Sequence, residues 1–452
     1  MHPAPSSVQL SPSGFEDVPQ VVGHMLERFR QEVCRVEGER PIFALLNASY
    51  LWGMQLSASR NPPEQEAILI SRAIQSSAPA LSERHPQKIL QYMQSLVLLA
   101  NYFYRAGRVM EARYHTTAAA SLVLSNGLHQ IRMDSRYPGI SGTARLSDPL
   151  ARSPCDAAEE GERINAFWTV LILDAFWNTV HGYPSSIPFT TSMARVDTPW
   201  PRLEEEYSQA PFDRDFRSSL TIDRFLSGAP DNWRNHSAKG NFAKAAVLFE
   251  RATFTALQFK NNPALRQSQP GTLMSLSTVI RKFIQDIPPP HRDAKSSVNY
   301  QLCMLSLAHA AEIQLFFPFA GNDAFSRSRA LKAAKAVVDL IEVWVPSLEV
   351  DYIDPMLAMI WTDCCRVFCD EAKRLTGQGS SHSDLRQPPP FTQREIRTFC
   401  AHIIAGMEAH RFPLMGKLHY LLSFCHAITE SSPELQLRQV KPEFDKIYSG
   451  IK

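Results

Sequence analysis

Long segments with apolar residues at helical spacing are the feature of this sequence that most constrains its fold. In the clearest segment, one helix face collects Ile89, Met93, Leu96, Val97, Ala100 and Tyr104. The 32 prolines, against only 19 glycines, cluster between such segments, where they end helices and begin loops. Strand signals are weak throughout the chain. The pattern therefore predicts an all-α fold, a large irregular multi-helix domain of packed antiparallel helices with long loops.

The same pattern predicts the domain organisation. Residues 1–20 are rich in Pro and Ser and are expected to be a disordered leader, residues 21–429 an all-helical domain, and residues 430–452 a C-terminal tail. Within the domain, the charged, turn-rich segment 199–240 is predicted to be a long surface excursion and 376–390 a linker-like loop. Besides the helix that carries the face described above, helices are predicted over 21–37, 42–59, 65–78, 109–126, 159–181, 242–259, 273–287, 297–316, 326–344, 355–375, 395–409 and 416–429.

Composition and charge exclude several classes of function. Hydrophobic residues make up 44% of the chain and charged residues 20%, which is typical of a globular protein. The net charge of +2 gives no basic surface for wrapping nucleic acid or for lying on an anionic membrane. The apolar segment 166–180 is shorter than a membrane-spanning helix and is interrupted by Asp174 and Asn178. The eight cysteines are scattered apart from one short cluster, which is typical of a reducing compartment, so we expect an intracellular protein that does not partner a membrane.

One motif points to an enzyme. The residues Asn322, Asp323 and Ser326 resemble the second metal-binding motif of terpene cyclases, which are all-α enzymes with a helical cavity. The acidic third ligand of that motif would stand at position 330, which is Ala here. N-capping of a helix by Asn322 or Asp323 is the favoured interpretation. An all-α enzyme with an apolar cavity stays as an alternative function.

The cysteines and histidines give no metal or catalytic site either. Cys364, Cys365 and Cys369 lie close in sequence, but the first two point about 100° apart on a helix and no Cys or His follows at ligand spacing. Buried thiols are the favoured interpretation. The sequence has no metalloprotease, nucleophile-elbow or phosphate-loop motif. We therefore predict no catalytic residue, no metal ligand and no enzyme.

A helical hairpin around Gly107 is the second structural motif. Segment 102–119 resembles a single tetratricopeptide hairpin, so an interaction scaffold is another alternative, although an ordinary hairpin in a larger bundle is favoured. The return helix is predicted to end at Gly127 in a left-handed conformation, with Leu128 folding back onto Val123.

The helix predicted over 159–181 carries a carboxylate on an apolar face. Asp174 has apolar helical neighbours and therefore needs a partner. Arg163 lies on the same face but roughly 16 Å away along the axis, too far for direct contact. A backbone amide of the 182–185 turn or a basic group from another helix is expected to pair with Asp174, with an effector contact as the alternative. Trp168, beside Phe167, is predicted to lie in the core.

Short motifs in these two regions occur in a recognisable order. They are Leu98-Leu99-Ala100-Asn101-Tyr102, Gly107-Arg108, Glu111-Ala112, Gly127-Leu128-His129, Glu162-Arg163, Phe167-Trp168, Leu173-Asp174 and Gly182-Tyr183-Pro184. This succession resembles the regulatory middle region of fungal binuclear-zinc-cluster transcription factors. Tyr183 departs from the family, which usually has Arg at that turn. Segments 307–319, 333–336 and 354–361 are similar to later parts of the same region, so the resemblance covers about residues 40–375.

The resemblance implies a transcriptional regulator in a fungal nucleus. The family's DNA-binding element is a cluster of six cysteines around two zinc ions, whereas here only Cys34 precedes Cys155. We therefore expect this chain to carry the regulatory part, with no DNA-binding residue and no cofactor of its own. Either it is a divergent member or the recorded chain begins downstream of a zinc cluster. On this view, DNA is bound only by a missing upstream segment or by a separate segment. Zinc is expected only if an upstream cysteine cluster exists.

The resemblance also implies the kinds of partner and the roles of the motif residues. We expect a small-molecule effector or a co-regulator protein to bias the activity of another segment, and a homodimer is possible on this view. The residues that bind the effector are unknown at this stage. The family-motif residues are expected to be structural, and they are Gly107, Gly127, Leu128, His129, Arg163, Phe167, Trp168, Asp174, Gly182 and Pro184.

Overall fold

A computed structural model describes the middle of the chain in several segments. The described residues are 41–56, 63–76, 85–134, 150, 153–189, 195–229, 237–287, 295–345, 353–377, 390–410 and 414. The predicted leader, the predicted helices over 21–37 and 416–429, most of the 376–390 loop and the C-terminal tail lie outside them.

The described residues form 14 α-helices and no strand, which confirms the predicted all-α fold. The helices are α1 (Phe43–Leu56), α2 (Pro63–Gln75), α3 (Pro86–Arg105), α4 (Val109–Ser125), α5 (Ala157–Val180), α6 (Glu204–Gln209), α7 (Thr221–Leu226), α8 (Ala238–Asn261), α9 (Pro263–Ser268), α10 (Thr272–Asp286), α11 (Lys295–Phe316), α12 (Ala324–Trp344), α13 (Pro355–Gly377) and α14 (Gln393–Ala409). Short 3₁₀ turns follow α4 at Leu128–Gln130 and α11 at Phe317–Phe319.

Polar side chains at the first turn set where several helices begin. Asp156 accepts a hydrogen bond from the Glu159 amide at the start of α5, at 2.8 Å. Asp323 accepts hydrogen bonds from the amides of Phe325 and Ser326 at the start of α12. Because these amides have no partner inside the helix, each cap satisfies groups that would otherwise be unpaired. The predicted capping role of Asp323 is confirmed.

The helices pack in two connected groups around one core. α3 and α4 form the predicted antiparallel hairpin, α1 packs on α3, and α5 packs on α4. α8 contacts both α5 and α11, and α11 in turn contacts α10, α12 and α13. α8 and α11 are therefore the inner helices that join the two groups.

Within the described part of the chain, one segment, Tyr300–Phe319, has the length and apolar composition of a membrane span. It includes most of α11, and 72% of its apolar window is buried by the rest of the protein. Its Glu312 accepts hydrogen bonds from Ser277 of α10 at 2.6 Å and from Arg329 of α12 at 2.7 Å. These features are those of a core helix, whose polar group is satisfied by its neighbours.

Segment 199–240 is more than the predicted surface excursion, because part of it packs into the core. Its described part forms α6 and α7 and buries Tyr207 and Ile222. Tyr207 fits against α5 because Gly161 has no side chain: a Cβ there would stand 2.4 Å from the tyrosine ring. The Tyr207 hydroxyl also donates to Asn165 of α5 at 3.1 Å.

Candidate functional site

The family-motif residues of α5 lie in the core between the helical hairpin and α8. Asp174 is fully buried and accepts hydrogen bonds from the Asn178 amide group at 2.6 Å, the Ser185 hydroxyl at 2.6 Å and the Ile187 backbone amide at 3.0 Å. Burial nevertheless raises the pKa of Asp174 above its usual value. A backbone amide does pair with Asp174, but it is that of Ile187, two residues beyond the turn that was predicted to supply it. The carboxylate ties α5 to the segment that follows it.

Three motif glycines occupy left-handed turns after helices. Gly107, Gly127 and Gly182 have φ values of 68°, 67° and 71°, a region that L side chains rarely adopt. The positive φ predicted for Gly127 is confirmed. Leu128, next to Gly127, is buried in the same core as Val123, whereas Pro184 is exposed beyond Gly182.

Arg163, Phe167 and Trp168 are all buried along α5. Arg163 donates to the Leu150 carbonyl at 3.0 Å and pairs with Glu159 at 2.6 Å, so it does not contact Asp174. The Trp168 ring is fully buried, as predicted, and its Nε1–H donates to the Pro199 carbonyl at 2.6 Å.

Tyr183, which departs from the family resemblance, contacts a cation of the neighbouring helix. The Arg113 guanidinium of α4 lies 3.5 Å from the centre of the Tyr183 ring, in a cation–π contact. This contact holds the turn against α4.

The cysteine cluster is buried in α13. Cys364 and Cys365 have no exposed surface and Cys369 has little, so the predicted burial is confirmed. Among the described residues, no group of three or more His, Cys, Asp or Glu side chains is arranged to hold a metal ion.

A cleft of about 980 Å³ lies between α7, α8 and α10, away from the motif residues. We call it the α8 cleft. Its lining residues are Asp223, Phe225, Leu226, Ser227, Gly228, Ala229, Asn241, Lys244, Arg251, Thr255, Thr272, Ser275, Leu276, Thr278, Val279, Lys282, Phe283, Asp286 and Ile287. Its volume is at the upper end of the range typical of small-molecule sites.

Four polar side chains of α8 form the floor of the cleft. They are Asn241, Lys244, Arg251 and Thr255, which fall on one face of this inner helix. The Lys244 ammonium lies 5.3 Å from the centre of the Trp200 ring and 5.8 Å from that of Phe225. The floor therefore combines two cations with hydrogen-bonding groups.

The walls of the cleft are mainly apolar. On the α10 side, Leu276 and Phe283 are buried and Val279 is half-buried. Phe225 of α7 meets Phe283 edge-on, with ring centroids 6.1 Å apart. This contact joins the two walls across the cleft.

Two motif residues position the α7 wall. The His129 carbonyl accepts the Asp197 amide at 2.9 Å, and the Asp197 carboxylate accepts the Leu220 amide at 2.8 Å, immediately before α7. Trp168 stacks on Trp200 with centroids 4.4 Å apart, and Trp200 contacts Phe225 edge-on. The structure thus links the motif residues to the cleft through residues 195–220.

A buried acid lies next to the cleft floor. Glu250 of α8 is buried, and burial together with the nearby carboxylate of Asp174 raises its pKa to about 8. Both effects favour the protonated form of Glu250.

Sequence reasoning missed the cleft. A signal was present, because Asn241, Lys244, Arg251 and Thr255 interrupt an Ala-rich apolar pattern at helical spacing. The interpretation of 199–240 as a surface excursion places no helix against this face of α8. The face would then simply be exposed to solvent.

Comparison with protein families gives one match. The model of the fungal specific transcription factor domain matches residues 43–294, more than half of the chain. The matched range contains the motif residues and every residue that lines the α8 cleft. Neither the curated proteins nor the solved structures give a match.

Proposed function

Because the chain belongs to the fungal specific transcription factor domain family, we propose that it is an effector-responsive regulatory region and that the α8 cleft receives the effector. The family is one of transcription factors and not an enzyme family. The proposed activity is therefore control of transcription, with the site acting by binding and not by catalysis.

The single observation that carries this proposal is the α8 cleft, which opens polar groups of an inner helix to a ligand. Its α7 wall belongs to a short helix of six residues, whereas α8 is central to the packing. A ligand that binds between them stabilises one position of α7 relative to α8. A ligand shifts the equilibrium between two positions of α7 only if it makes different contacts in each of them.

The proposed partners follow from this arrangement. A small molecule binds the cleft. A co-regulator protein or a DNA-binding segment then recognises the position that α7 and residues 195–229 adopt. DNA recognition is assigned to a separate segment, and the family implies that the protein acts in the nucleus.

A tethered reporter tests the proposed function. The 452-residue chain is fused to a heterologous DNA-binding domain in fungal cells and compared with that domain alone, at equal protein level and equal promoter occupancy. We expect the fusion to raise or lower reporter transcription. Identical reporter output from the fusion and from the DNA-binding domain alone would contradict a regulatory role.

A further inference from the structure

We propose that residues 21–37, which lie outside the described residues, form an amphipathic helix that docks antiparallel on the outer face of α1. Three features support this contact: the apolar outer face of α1, the sequence of segment 21–37 and the short connection between the two. The contact attaches the N-terminal part of the chain to the helical hairpin, on which α1 packs. It is independent of the α8 cleft and of the function proposed for it.

α1 carries apolar residues on two opposite sides. Its inner side is buried against the rest of the protein and consists of Ala44, Leu45, Ala48, Leu51 and Trp52. Its outer side carries a second row at helical spacing, which we call the outer stripe and which consists of Phe43, Leu46, Tyr50 and Met54. Phe43 is 73% exposed and Tyr50 is 48% exposed.

The outer stripe is suited to an apolar protein surface. α1 contains no charged residue, so a helix that covers the stripe buries no unpaired charge there. The polar residue within the stripe, Asn47, donates from its side chain to the Phe43 carbonyl of the same helix at 2.7 Å. Since a helix that is apolar on all sides is normally covered on all sides, the stripe is expected to have an occupant.

Segment 21–37 has the pattern of an amphipathic helix. On a helix, six of its apolar side chains fall within about 100° of one face, and they are Val22, Met25, Leu26, Phe29, Val33 and Val36. The other faces carry three arginines and three glutamates, which leave no net charge. Helices that lie on membranes are rich in Lys and Arg, and DNA-binding segments are basic. An uncharged protein face such as the outer stripe therefore matches this segment better than either of those surfaces.

The connection to α1 is short enough to select the segment's own α1. The Ile42 backbone amide donates to the Gln91 side chain of α3 at 3.0 Å, which fixes the start of α1 on the helical hairpin. Only residues 38–42 separate segment 21–37 from α1, and helices joined by so few residues pack as antiparallel neighbours. Such a tether also gives the segment a high effective concentration at its own α1, compared with that of a second copy.

The lengths of the two helices also agree. A helix over residues 21–37 is about 25 Å long, and α1 with its 14 residues is about 21 Å long. The apolar face of the segment therefore runs along the whole outer stripe.

Hydrogen–deuterium exchange of the full chain, read by mass spectrometry on peptides from residues 21–37, tests the docking. An isolated helix of this length is marginal in water, so slow exchange in the segment requires that it is docked. We expect the amides of the segment to exchange at least about tenfold more slowly in the protein than in a free peptide of the same sequence.

Matched variants locate the docking surface. Phe43→Asp places a charge on the outer stripe, and we expect it to return the segment to within about twofold of the exchange rates of the free peptide. Phe325→Asp makes the same change at the start of α12, where the ring is 50% exposed, and it should keep the wild-type rates. Slow exchange in peptides from α3 and α5 shows that each variant is folded.

A second pair of variants tests the segment itself. Phe29→Asp places a charge on its apolar face and should speed exchange as Phe43→Asp does. Gln31→Asp introduces the same charge on the polar face of the segment and should leave the rates unchanged.

Three results would overturn the proposal. They are exchange at the free-peptide rates in the folded wild-type chain, wild-type rates in folded Phe43→Asp, and slowing that increases with protein concentration over about a twentyfold range. The last result would assign the outer stripe to the segment of a second copy.

Discussion

Truncation of Trp168 to Ala tests how the core supports the α8 cleft. The indole is 0% exposed on α5, stacks on Trp200 and donates a hydrogen bond to the Pro199 carbonyl at 2.6 Å. It therefore holds the segment that leads to α6 and α7 against the inner helices.

The expected loss of stability follows from these contacts. Removing a fully buried Trp side chain costs about 3 to 5 kcal/mol through lost burial and the cavity that remains. The unpaired Pro199 carbonyl adds on the order of 1 kcal/mol, because it loses its donor. The lost Trp200 stacking is already contained in the truncation value, so the free energy of unfolding should fall by about 4 to 6 kcal/mol.

Urea unfolding followed by far-ultraviolet circular dichroism measures this change. Trp168→Phe is the first control, since it keeps most of the packing and loses the hydrogen bond, and we expect it to lose about 1 to 2 kcal/mol. Phe254→Ala is the second control, because Phe254 is 42% exposed on α8 and its truncation should cost much less.

An unchanged unfolding midpoint for Trp168→Ala would refute the packing argument. Equal losses in Trp168→Ala and Phe254→Ala would refute it as well, since the argument depends on the difference in burial between the two rings.

Three further predictions concern a turn, a buried acid and DNA. Gly127→Ala should lower the free energy of unfolding by about 1 kcal/mol because Gly127 has φ 67°, while Gly321→Ala, outside the left-handed region and with open space around it, should leave the urea midpoint unchanged. The pKa of Glu250 rises from 4.5 to about 8 on folding, so between these pH values the folded protein keeps a proton that the unfolded chain has released. The free energy of unfolding should therefore fall as pH rises through this range, by about 1 kcal/mol per pH unit. Glu250→Gln should flatten that pH dependence in unfolding titrations, whereas Glu205→Gln, at an exposed position, should retain it. In fluorescence anisotropy at physiological salt, the chain should bind duplex DNA weakly and without sequence preference, because its net charge is only +2, and nanomolar selective binding would contradict this.

Local sequence signals predicted the helical hairpin and α5 well. Helical periodicity and the stops at Gly107, Gly127 and Gly182 depend on neighbouring residues alone, and the structure has turns at all three. The apolar neighbours of Asp174 on its own helix also predicted that its carboxylate needs a partner. The backbone amide that pairs with it, that of Ile187, lies beyond the predicted turn because the path of that segment depends on packing.

The α8 cleft could not be predicted in the same way. Its α7 wall depends on contacts between distant parts of the chain, such as Tyr207 against Gly161 and Trp200 against Trp168. The sequence of segment 199–240 is charged and turn-rich, so its local pattern indicates solvent exposure even though two of its short helices are held in place. Whether Arg251 faces water or a cavity is decided by these tertiary contacts.

The most direct test of the account is the output of the tethered reporter in cleft variants. Wild type, Arg251→Met and Arg281→Met are compared as fusions to one DNA-binding domain, at equal protein level and with melting temperatures that show folding. If the cleft controls transcription, Arg251→Met should change reporter output by about fivefold or more, in either direction, while Arg281→Met matches the wild type. Identical output from all three fusions would contradict the claim that the α8 cleft is the control site of this protein.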